Sequence, residues 1–460
     1  MKLYFLFFVI LSFLFYSNAP IKYSPEFCQN LSWIFIINTL PFLYIKAKRY
    51  GIVNFYTFFI LSIYLINFLH AAYAYPVENL FRAFRDYSYN ENIINISVSF
   101  VLLCISSFIY INYISENKKK STNNIKYIDT SPYIKKMELS CLVITSIFFI
   151  YSHFIIQRTS SYGYNMEGFS TRFNLLIESF LILTYFLIFI NKQTKYLKIY
   201  QLIFKYKILV ISTILFSITL ISYGSRVNTI TMLIAIGLLF NRFYKKFPFI
   251  AFIFFIIVAL ISFTIITITR VSDINLSTHS FEEVLVYGWE TTIDKGSIYV
   301  LFTDMIVNAR NLYDGYDYIN KYDLLYGLSH LPVILGFIPF LGIFVLNLLG
   351  YSWNEVNTSS LLTQINNANF GLGTNLIGDL CINYGHIGAY LFFILAGYLL
   401  IKIEYGKSFI KQILYLAIST FGLYTPRAAA VGYWLDFFYM LCIATIISSF
   451  LLKRNLFKLY

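Results

Sequence analysis

Four polar side chains recur at helical spacing in the stretch GLGTNLIGDLCINYGHIG, residues 371–388. Asn375, Asp379, Asn383 and His386 are separated by four, four and three positions. On a helix that turns about 100° per residue, they fall within an arc of about 80°. The glycines ahead of Asn375 let backbone N–H groups approach an anion at the helix start. The stripe predicts a polar cavity beside an apolar helix; the alternative is that these groups only bond to neighbouring helices.

Arginines beside apolar segments are the second set of residues that could do chemistry. The planar guanidinium meets phosphate oxygens bidentately and stays charged when partly buried. Arg226 stands in SYGSRVN, a tight turn between two apolar segments, and Arg172 stands in EGFSTRF together with Glu167. The predicted phosphate-binding residues are Arg226, Arg172, Arg427, Arg310 and Arg158. The alternative is that these arginines bind lipid headgroups or pair with carboxylates of the loops.

The composition requires a membrane to position these side chains. Of the 460 residues, 58% are hydrophobic and only 12% are charged, which leaves too little polar surface for a soluble protein. About twelve segments are long and apolar enough to cross a hydrocarbon core of about 30 Å. The predicted spans are 3–18, 29–45, 52–74, 92–114, 138–157, 173–191, 208–223, 226–241, 248–269, 377–401, 409–423 and 431–452. We expect an all-α polytopic membrane protein with a single integral membrane domain over residues 1–460.

The distribution of the basic residues behind the formal charge of +13 indicates membrane topology rather than a nucleic-acid-binding surface. Lysines concentrate in alternate loops, as orientation by cytoplasmic positive charge requires. The basic segments are Lys46/Lys48/Arg49, Lys118 to Lys136, Lys192 to Lys207, Arg242/Lys245/Lys246, Lys402/Lys407/Lys411 and Lys453/Arg454/Lys458. They fall on one side of the membrane if twelve spans begin inside, so both termini are predicted to be cytoplasmic. Eight of the eleven arginines then lie at the outer face, which favours a phosphate-bearing ligand there and no nucleic-acid partner.

The longest predicted outer loop covers residues 270–376. Its segment Leu331–Gly350 is apolar enough to be a further span, but a single crossing would put the Lys402 loop on the wrong side. Prolines and glycines interrupt this segment. They favour a re-entrant or interfacial helical hairpin inserted within the loop.

Motifs for metals and nucleotides are missing from the sequence. The five cysteines show no disulfide or zinc spacing. No Walker A motif, dinucleotide fingerprint or HExxH motif is present. We therefore expect no metal site and no cofactor.

The 371–388 stretch after a large outer loop, the GSR turn at Arg226 and the EGFSTRF segment resemble the O-antigen polymerase (Wzy) family of the bacterial inner membrane. The resemblance implies twelve spans with both termini cytoplasmic and a glycosyltransferase of the GT-C type. Such enzymes join lipid-linked oligosaccharide repeat units at the periplasmic face. The implied partners are a polyprenyl-pyrophosphate-linked glycan donor and acceptor within membrane lipids, and the resemblance also allows for a chain-length regulator protein.

The same resemblance implies roles for the candidate residues. Arginines would stabilise the pyrophosphate leaving group without a metal. The general base would come from Glu167, Asp379, His279, Glu290 or His386, among which the sequence does not choose. Two other functions stay open at this point: an O-antigen ligase, which would share the outer loop and arginines, and a polysaccharide flippase, which would need a charged central cavity.

Overall fold

The computed structural model describes residues 1–77, 90–117, 130–155, 168–222, 226–248, 303–338, 340–368, 371–406 and 409–451. Every regular element within these ranges is helical. The helices are α1 (Lys2–Ser17), α2 (Pro25–Tyr50), α3 (Phe55–Asn67), α4 (Ile94–Asn117), α5 (Ser131–Ile155), α6 (Gly168–Phe189), α7 (Ile199–Lys205), α8 (Lys207–Ser222), α9 (Arg226–Leu239), α10 (Thr303–Ile306), α11 (Ala309–Asp317), α12 (Leu331–Leu335), α13 (Leu341–Leu348), α14 (Trp353–Val356), α15 (Thr358–Ile365), α16 (Leu376–Glu404), α17 (Phe409–Thr420) and α18 (Trp434–Leu451). The predicted all-α class is confirmed for this part of the chain.

Polar residues at the helix starts determine where several helices begin. The Ser24 side chain accepts a hydrogen bond from the Phe27 backbone N–H at 3.3 Å, and Pro25 occupies the first position of α2. The Asn54 side chain caps α3 through the Thr57 N–H at 3.0 Å. These caps satisfy backbone donors that have no partner within the helix.

Two apolar cores hold the helices together. In the first, α16 packs along α4, which in turn packs against α1 and α2, and α11 lies against α16. In the second, α5 packs against α6 and α8, and α6 packs against α9 and α18. Helix α17 contacts α16 of the first core and α9 and α18 of the second.

Four helical segments among the described residues are long and apolar enough to cross a membrane. They are Pro25–Tyr50, Phe55–Val77, Glu91–Glu116 and Leu376–Glu404. The second consists of α3, the π-helical turn His70–Ala74 and the three-residue helix Tyr75–Val77. The pair Ile199–Lys205 and Lys207–Leu220, bent by 82°, makes a fifth candidate if it counts as one broken span. The expectation of about twelve spans in a GT-C-like arrangement stays a prediction, and the predicted span 248–269 lies outside the described residues except for residue 248.

Three of the predicted basic segments meet at one end of the first core. Lys46 of α2 lies between Glu116 of α4 and Glu404 of α16, at 3.0 and 3.9 Å from their carboxylate oxygens. The Arg242 guanidinium donates to the Glu404 carbonyl at 3.1 Å. The Lys246 ammonium donates to the Lys48 carbonyl at 2.7 Å. The sequence segments around Lys46, Arg242 and Lys402 therefore share one end of the bundle.

The described part of the predicted outer loop, residues 303–368 and 371–376 with a gap at 339, consists of short helices. Within Leu331–Gly350, α12 and α13 have five and eight residues and pack against each other. Each is too short to cross a hydrocarbon core. Whether this hairpin re-enters the membrane or lies at its surface stays a prediction, as does the single-domain organisation.

Candidate functional site

The start of α16 carries the polar stripe into the protein interior. Asn375 caps the helix by accepting hydrogen bonds from the Ile377 and Gly378 N–H groups. The helix is interrupted at Gly385, whose φ of 73° and ψ of 176° lie outside the helical region. The sequence-based expectation of one continuous helix over the stripe is therefore wrong after the ninth residue, because a residue with this backbone conformation cannot continue the helix.

Asp379, in the first turn of α16, forms the centre of a buried polar network. Its Oδ2 atom lies 2.8 Å from His330 Nε2 and accepts the Ala430 backbone N–H at 2.8 Å. Asp379 has no exposed surface, and His330 is only 4% exposed. An isolated buried carboxylate costs free energy, and these hydrogen-bond donors explain why the Asp379 carboxylate can be buried.

Asn383 supports the same carboxylate from one turn further along α16. Its side-chain amide donates to the Asp379 carbonyl at 2.9 Å and to Asp379 Oδ1 at 3.3 Å. Its own Oδ1 atom accepts the Ser329 hydroxyl at 2.9 Å. Ser329 and His330 are thus both tied to the first turns of α16.

Tyr384 connects this network to the surface. Its hydroxyl lies 2.9 Å from His330 Nδ1, and its side chain is 42% exposed. With Asp379 as the acceptor for the Nε2–H of His330, the Nδ1 atom is left to accept the Tyr384 hydroxyl proton. The geometry is a Tyr–His–Asp chain that leads from a partly exposed tyrosine to a buried carboxylate.

Helix α11 crosses the start of α16 at very close range. A Cβ atom at Gly315 would stand 2.5 Å from Gly378 Cα, and one at Gly378 would stand 2.5 Å from the Asn311 carbonyl oxygen. The Asn311 amide also donates to the Leu372 carbonyl at 2.9 Å. Arg310, which is 4% exposed, belongs to the same helix, and that helix contacts Gly378, the residue before Asp379.

Arg427 lies on the connection between α17 and α18. The turn Thr425–Arg427 packs against α3 and α16, and Ala430, three residues later, donates its N–H to Asp379. The predicted arginines Arg310 and Arg427 therefore stand on the two segments that contact the first turn of α16.

The other two residues of the stripe have separate partners. The Asn375 amide donates to Asn67 Oδ1 of α3 at 2.9 Å. His386 stacks on the Tyr316 ring with centroids 4.0 Å apart, and its Nε2 atom lies 3.0 Å from the Tyr316 carbonyl oxygen. Asn375, Asp379 and Asn383 are completely buried, so the hydrated cavity that they were expected to line stays a prediction.

Several predicted site residues cannot be compared with this geometry. Arg226 is the first residue of α9 and Arg172 lies in the first turns of α6, but their side chains lie outside the described part of the structure. Arg158, Glu167, His279 and Glu290 also lie outside the described residues. Their roles stay predictions.

The sequence reasoning named neither Tyr384 nor His330, and His330 is the farther of the two from Asp379 along the chain. It stands in SHLP, directly before the apolar segment that forms α12 and α13. No periodicity or motif joins it to Asp379, which is 49 positions away. The sequence offered one indication of His330: it is a titratable side chain that stands directly before a run of apolar residues.

No group of three or more His, Cys, Asp or Glu side chains that could hold a metal ion occurs within the described residues. The Asp379 network uses protein donors at both carboxylate oxygens. Metal independence of the reaction itself stays a prediction.

The fold and the site define a multi-pass helical membrane protein with a buried hydrogen-bonded centre near one end of a helical bundle. The family model for the O-antigen polysaccharide polymerase Wzy matches residues 1–459, and the chain belongs to this family. It is an O-antigen polymerase, and the family implies glycosyltransferase activity on lipid-linked repeat units. This membership decides for the polymerase against the ligase and flippase alternatives. No curated protein and no solved structure matches the chain.

Proposed function

We propose that the protein joins polyprenyl-pyrophosphate-linked repeat units at the periplasmic face of the bacterial inner membrane, without a metal or cofactor. The Asp379 network lies near the start of α16. The Lys46 cluster, formed by Lys46, Glu116 and Glu404, lies near its end. Between the interruption at Gly385 and its end at Glu404, α16 has 19 residues, which correspond to about 28 Å of helix, close to the thickness of a bilayer core. The positive-inside rule puts the end with the clustered lysines in the cytoplasm, which supports a periplasmic site and cytoplasmic termini.

The observation that carries the proposed chemistry is the hydrogen bond between His330 Nε2 and Asp379 Oδ2 at 2.8 Å. A carboxylate that holds one ring nitrogen of a histidine fixes its tautomer and stabilises the imidazolium that forms when the other nitrogen takes a proton. Here the other nitrogen faces the hydroxyl of Tyr384, a residue that is 42% exposed. His330 is therefore our general base, and Asp379 is its orienting partner.

The proposed step is an in-line substitution at the anomeric carbon of the donor. A sugar hydroxyl of the acceptor gives its proton to the Tyr384 oxygen while Tyr384 passes its own proton to His330 Nδ1. The acceptor oxygen forms the new glycosidic bond as the bond between the anomeric carbon and the pyrophosphate oxygen breaks. Polyprenyl pyrophosphate leaves with the electron pair, and the proton remains on His330 for later release to water.

The leaving group needs positive charge that is already in place before the reaction. Arg310 and Arg427 stand on the segments that contact the first turn of α16, and guanidinium groups can meet a diphosphate bidentately. We propose both as pyrophosphate ligands, together with Arg226, Arg172 and Arg158. Asn375, Asn383 and His386 would line the chamber through which the acceptor approaches. The arrangement of about twelve spans in a GT-C-like fold belongs to the same proposal.

The test is elongation by the purified protein in lipid vesicles supplied only with synthetic polyprenyl-pyrophosphate-linked units and EDTA. We expect a ladder of longer glycans and release of polyprenyl pyrophosphate in equal amount to the bonds formed. A strict need for a divalent ion would overturn the metal-free step. Elongation that survives Tyr384→Phe at full rate would overturn the proton path.

A further inference from the structure

The helical hairpin of residues 331–349, formed by α12 and α13, has an apolar side that is exposed in the described part of the structure. Sequence positions 331–350 contain no charged residue. Large apolar side chains face outward along the hairpin, with Phe344 58% and Leu348 71% exposed. The outward-facing residues are Ile334, Phe337, Ile338, Phe340, Ile343, Phe344, Leu348 and Leu349. A contiguous apolar surface of this kind on a protein marks an interaction site.

The hairpin is fixed to a helix of the membrane domain. The Trp434 indole N–H donates to the Ile334 carbonyl at 3.2 Å, and the rings of Phe337 and Phe438 have centroids 4.9 Å apart. Trp434 is the first residue of the apolar helix α18. The exposed face of the hairpin is thus continuous with the start of α18, where an amphipathic indole is typical of a membrane interface.

The chain turns polar on both sides of the hairpin. Before it, Lys321 pairs with Asp317 at 2.7 Å and has a side chain that is 55% exposed. After it, the exposed Glu355 carboxylate accepts the Ser352 N–H at 2.7 Å in a capping box, and this bond lowers the pKa of Glu355. Exposed charged groups therefore lie on both flanks of the apolar segment.

The residue at the start of the hairpin is His330, the proposed general base. His330 immediately precedes α12, and it bonds to Asp379 and Tyr384 of α16. Any shift of the hairpin would move His330 with it. A misplacement of about 1 Å can cost a catalytic group roughly a hundredfold in rate.

We propose that the hairpin is seated in the acyl chains of the outer membrane leaflet, and that this contact holds His330 against Asp379. Bilayer hydrocarbon is the occupant because the surface has no charge, is continuous with α18 and is bounded by polar residues. A short helical pair with one apolar face suits shallow insertion at the interface. Only the link to His330 rests on the proposed function; the seating in lipid does not.

The seating can be measured by spin labels in the protein reconstituted in vesicles without substrate. Labels go at Phe344→Cys and Leu348→Cys in a Cys442→Ser background, since the other four cysteines are buried. Tyr322→Cys and Asn354→Cys, exposed positions on the polar flanks, are the matched controls. For each label we compare relaxation by oxygen with relaxation by a water-soluble nickel chelate. We expect the ratio of oxygen to nickel relaxation to be several-fold higher for the hairpin labels than for the control labels.

Three results would overturn the seating. The hairpin labels could have the same preference for nickel as the controls, which would put the surface in water. They could gain oxygen exposure only when polyprenyl pyrophosphate is added, which would assign the surface to the substrate tail. They could also show spin coupling between copies, which would assign it to a second molecule of this chain.

The link to His330 has a separate test. Leu348→Glu should draw the hairpin toward water and lower the elongation rate by about tenfold or more, while Tyr322→Glu should change it less than about twofold. A normal rate for Leu348→Glu, with a spin label at 344 that has moved out of the lipid, would overturn the link. That result would leave the role of His330 as a base intact, because His330→Gln tests it independently.

Discussion

His330 Nε2 lies 2.8 Å from Asp379 Oδ2, although 49 positions of the chain separate the two residues. Both side chains are almost completely buried, and the second ring nitrogen faces the hydroxyl of Tyr384. The contact joins the loop before the hairpin to the first turn of α16. A buried histidine held by a carboxylate at one nitrogen, with the hydroxyl of a partly exposed tyrosine at the other, is arranged as general bases are in many enzymes.

Replacement of this histidine should separate catalysis from substrate binding. We expect His330→Gln to lower kcat for elongation by about 10²–10⁴-fold with little change in KM, because general base catalysis is lost while the pyrophosphate contacts remain. Asp379→Asn should lower kcat as well, because the amide can present its N–H to Nε2 and favour the wrong tautomer. Single-turnover elongation with synthetic lipid-linked units measures both variants.

The control is the second histidine of the region. His386 bonds to a backbone carbonyl and stacks on Tyr316, so His386→Gln should cost less than about tenfold in kcat. Equal losses for the two histidines would argue that neither is the base and that both are structural.

Gly327 leaves the space that the Tyr384 hydroxyl occupies. Gly327 has φ of 84°, and a Cβ atom there would stand 2.9 Å from the Tyr384 oxygen. Gly350 has nearly the same φ, 82°, but has open space around the same position. We expect Gly327→Ala to lower elongation much more than Gly350→Ala, since both substitutions strain the backbone by about 1 kcal/mol and only one displaces the phenol.

Comparison of the two alanine variants at matched expression, by rate and by thermal midpoint, makes this test specific. A similar loss of activity in both would mean that backbone strain alone explains it. A normal rate for Gly327→Ala would remove Tyr384 from the proton path.

Hydropathy made part of the fold predictable from the sequence. Of the four helical segments that are long and apolar enough to cross a membrane, three contain the predicted spans 29–45, 92–114 and 377–401, and the fourth overlaps all but the first three residues of 52–74. The reason is that each is a run of apolar residues long enough for a bilayer, which needs no knowledge of tertiary contacts. The polar stripe at Asp379 was visible for the same reason, as a break in such a run.

Long-range contacts put the rest of the site beyond sequence reasoning. His330 reaches Asp379 only because α12 begins beside α16, and local spacing carries no trace of that pairing. The interruption of α16 depends on the positive φ of Gly385, and a glycine in an apolar run also fits an unbroken helix. The close crossing of α11 over Gly378 likewise depends on a second glycine, Gly315, sixty-three positions earlier.

The buried arginine of α11 gives a prediction for leaving-group stabilisation. Arg310→Lys keeps the charge but loses the planar fork, so we expect elongation to fall by roughly a hundredfold and inhibition by polyprenyl pyrophosphate to weaken. Arg427→Lys should act in the same direction. Arg242→Lys is the control, because Arg242 bonds to Glu404 and Gln412 at the opposite end of α16. If product inhibition is unchanged in Arg310→Lys, this arginine does not bind the pyrophosphate.

The ion cluster at the other end of the bundle should contribute stability rather than catalysis. Lys46 has no exposed surface, pairs with Glu116 at 3.0 Å and lies 4.2 Å from the centre of the Tyr56 ring. Glu404 accepts the Tyr56 hydroxyl at 2.9 Å, and Glu116 also bonds to Arg49. The cluster joins the ends of α2, α4 and α16, the three long helices of the first core.

Removal of the Lys46 ammonium takes away the positive charge that lies between the Glu116 and Glu404 carboxylates. We expect Lys46→Met to lower the free energy of unfolding by about 3–5 kcal/mol, since breaking a buried pair by removing one partner leaves an uncompensated charge. Lys48→Met, at an exposed position two residues later, should change it by less than about 0.5 kcal/mol. Adding Glu404→Gln to Lys46→Met should restore part of the loss, because one unpaired carboxylate is then neutral. Denaturant titration in mixed micelles measures all three, and a double variant that is less stable than Lys46→Met would mean that Glu404 acts mainly through its tyrosine partners.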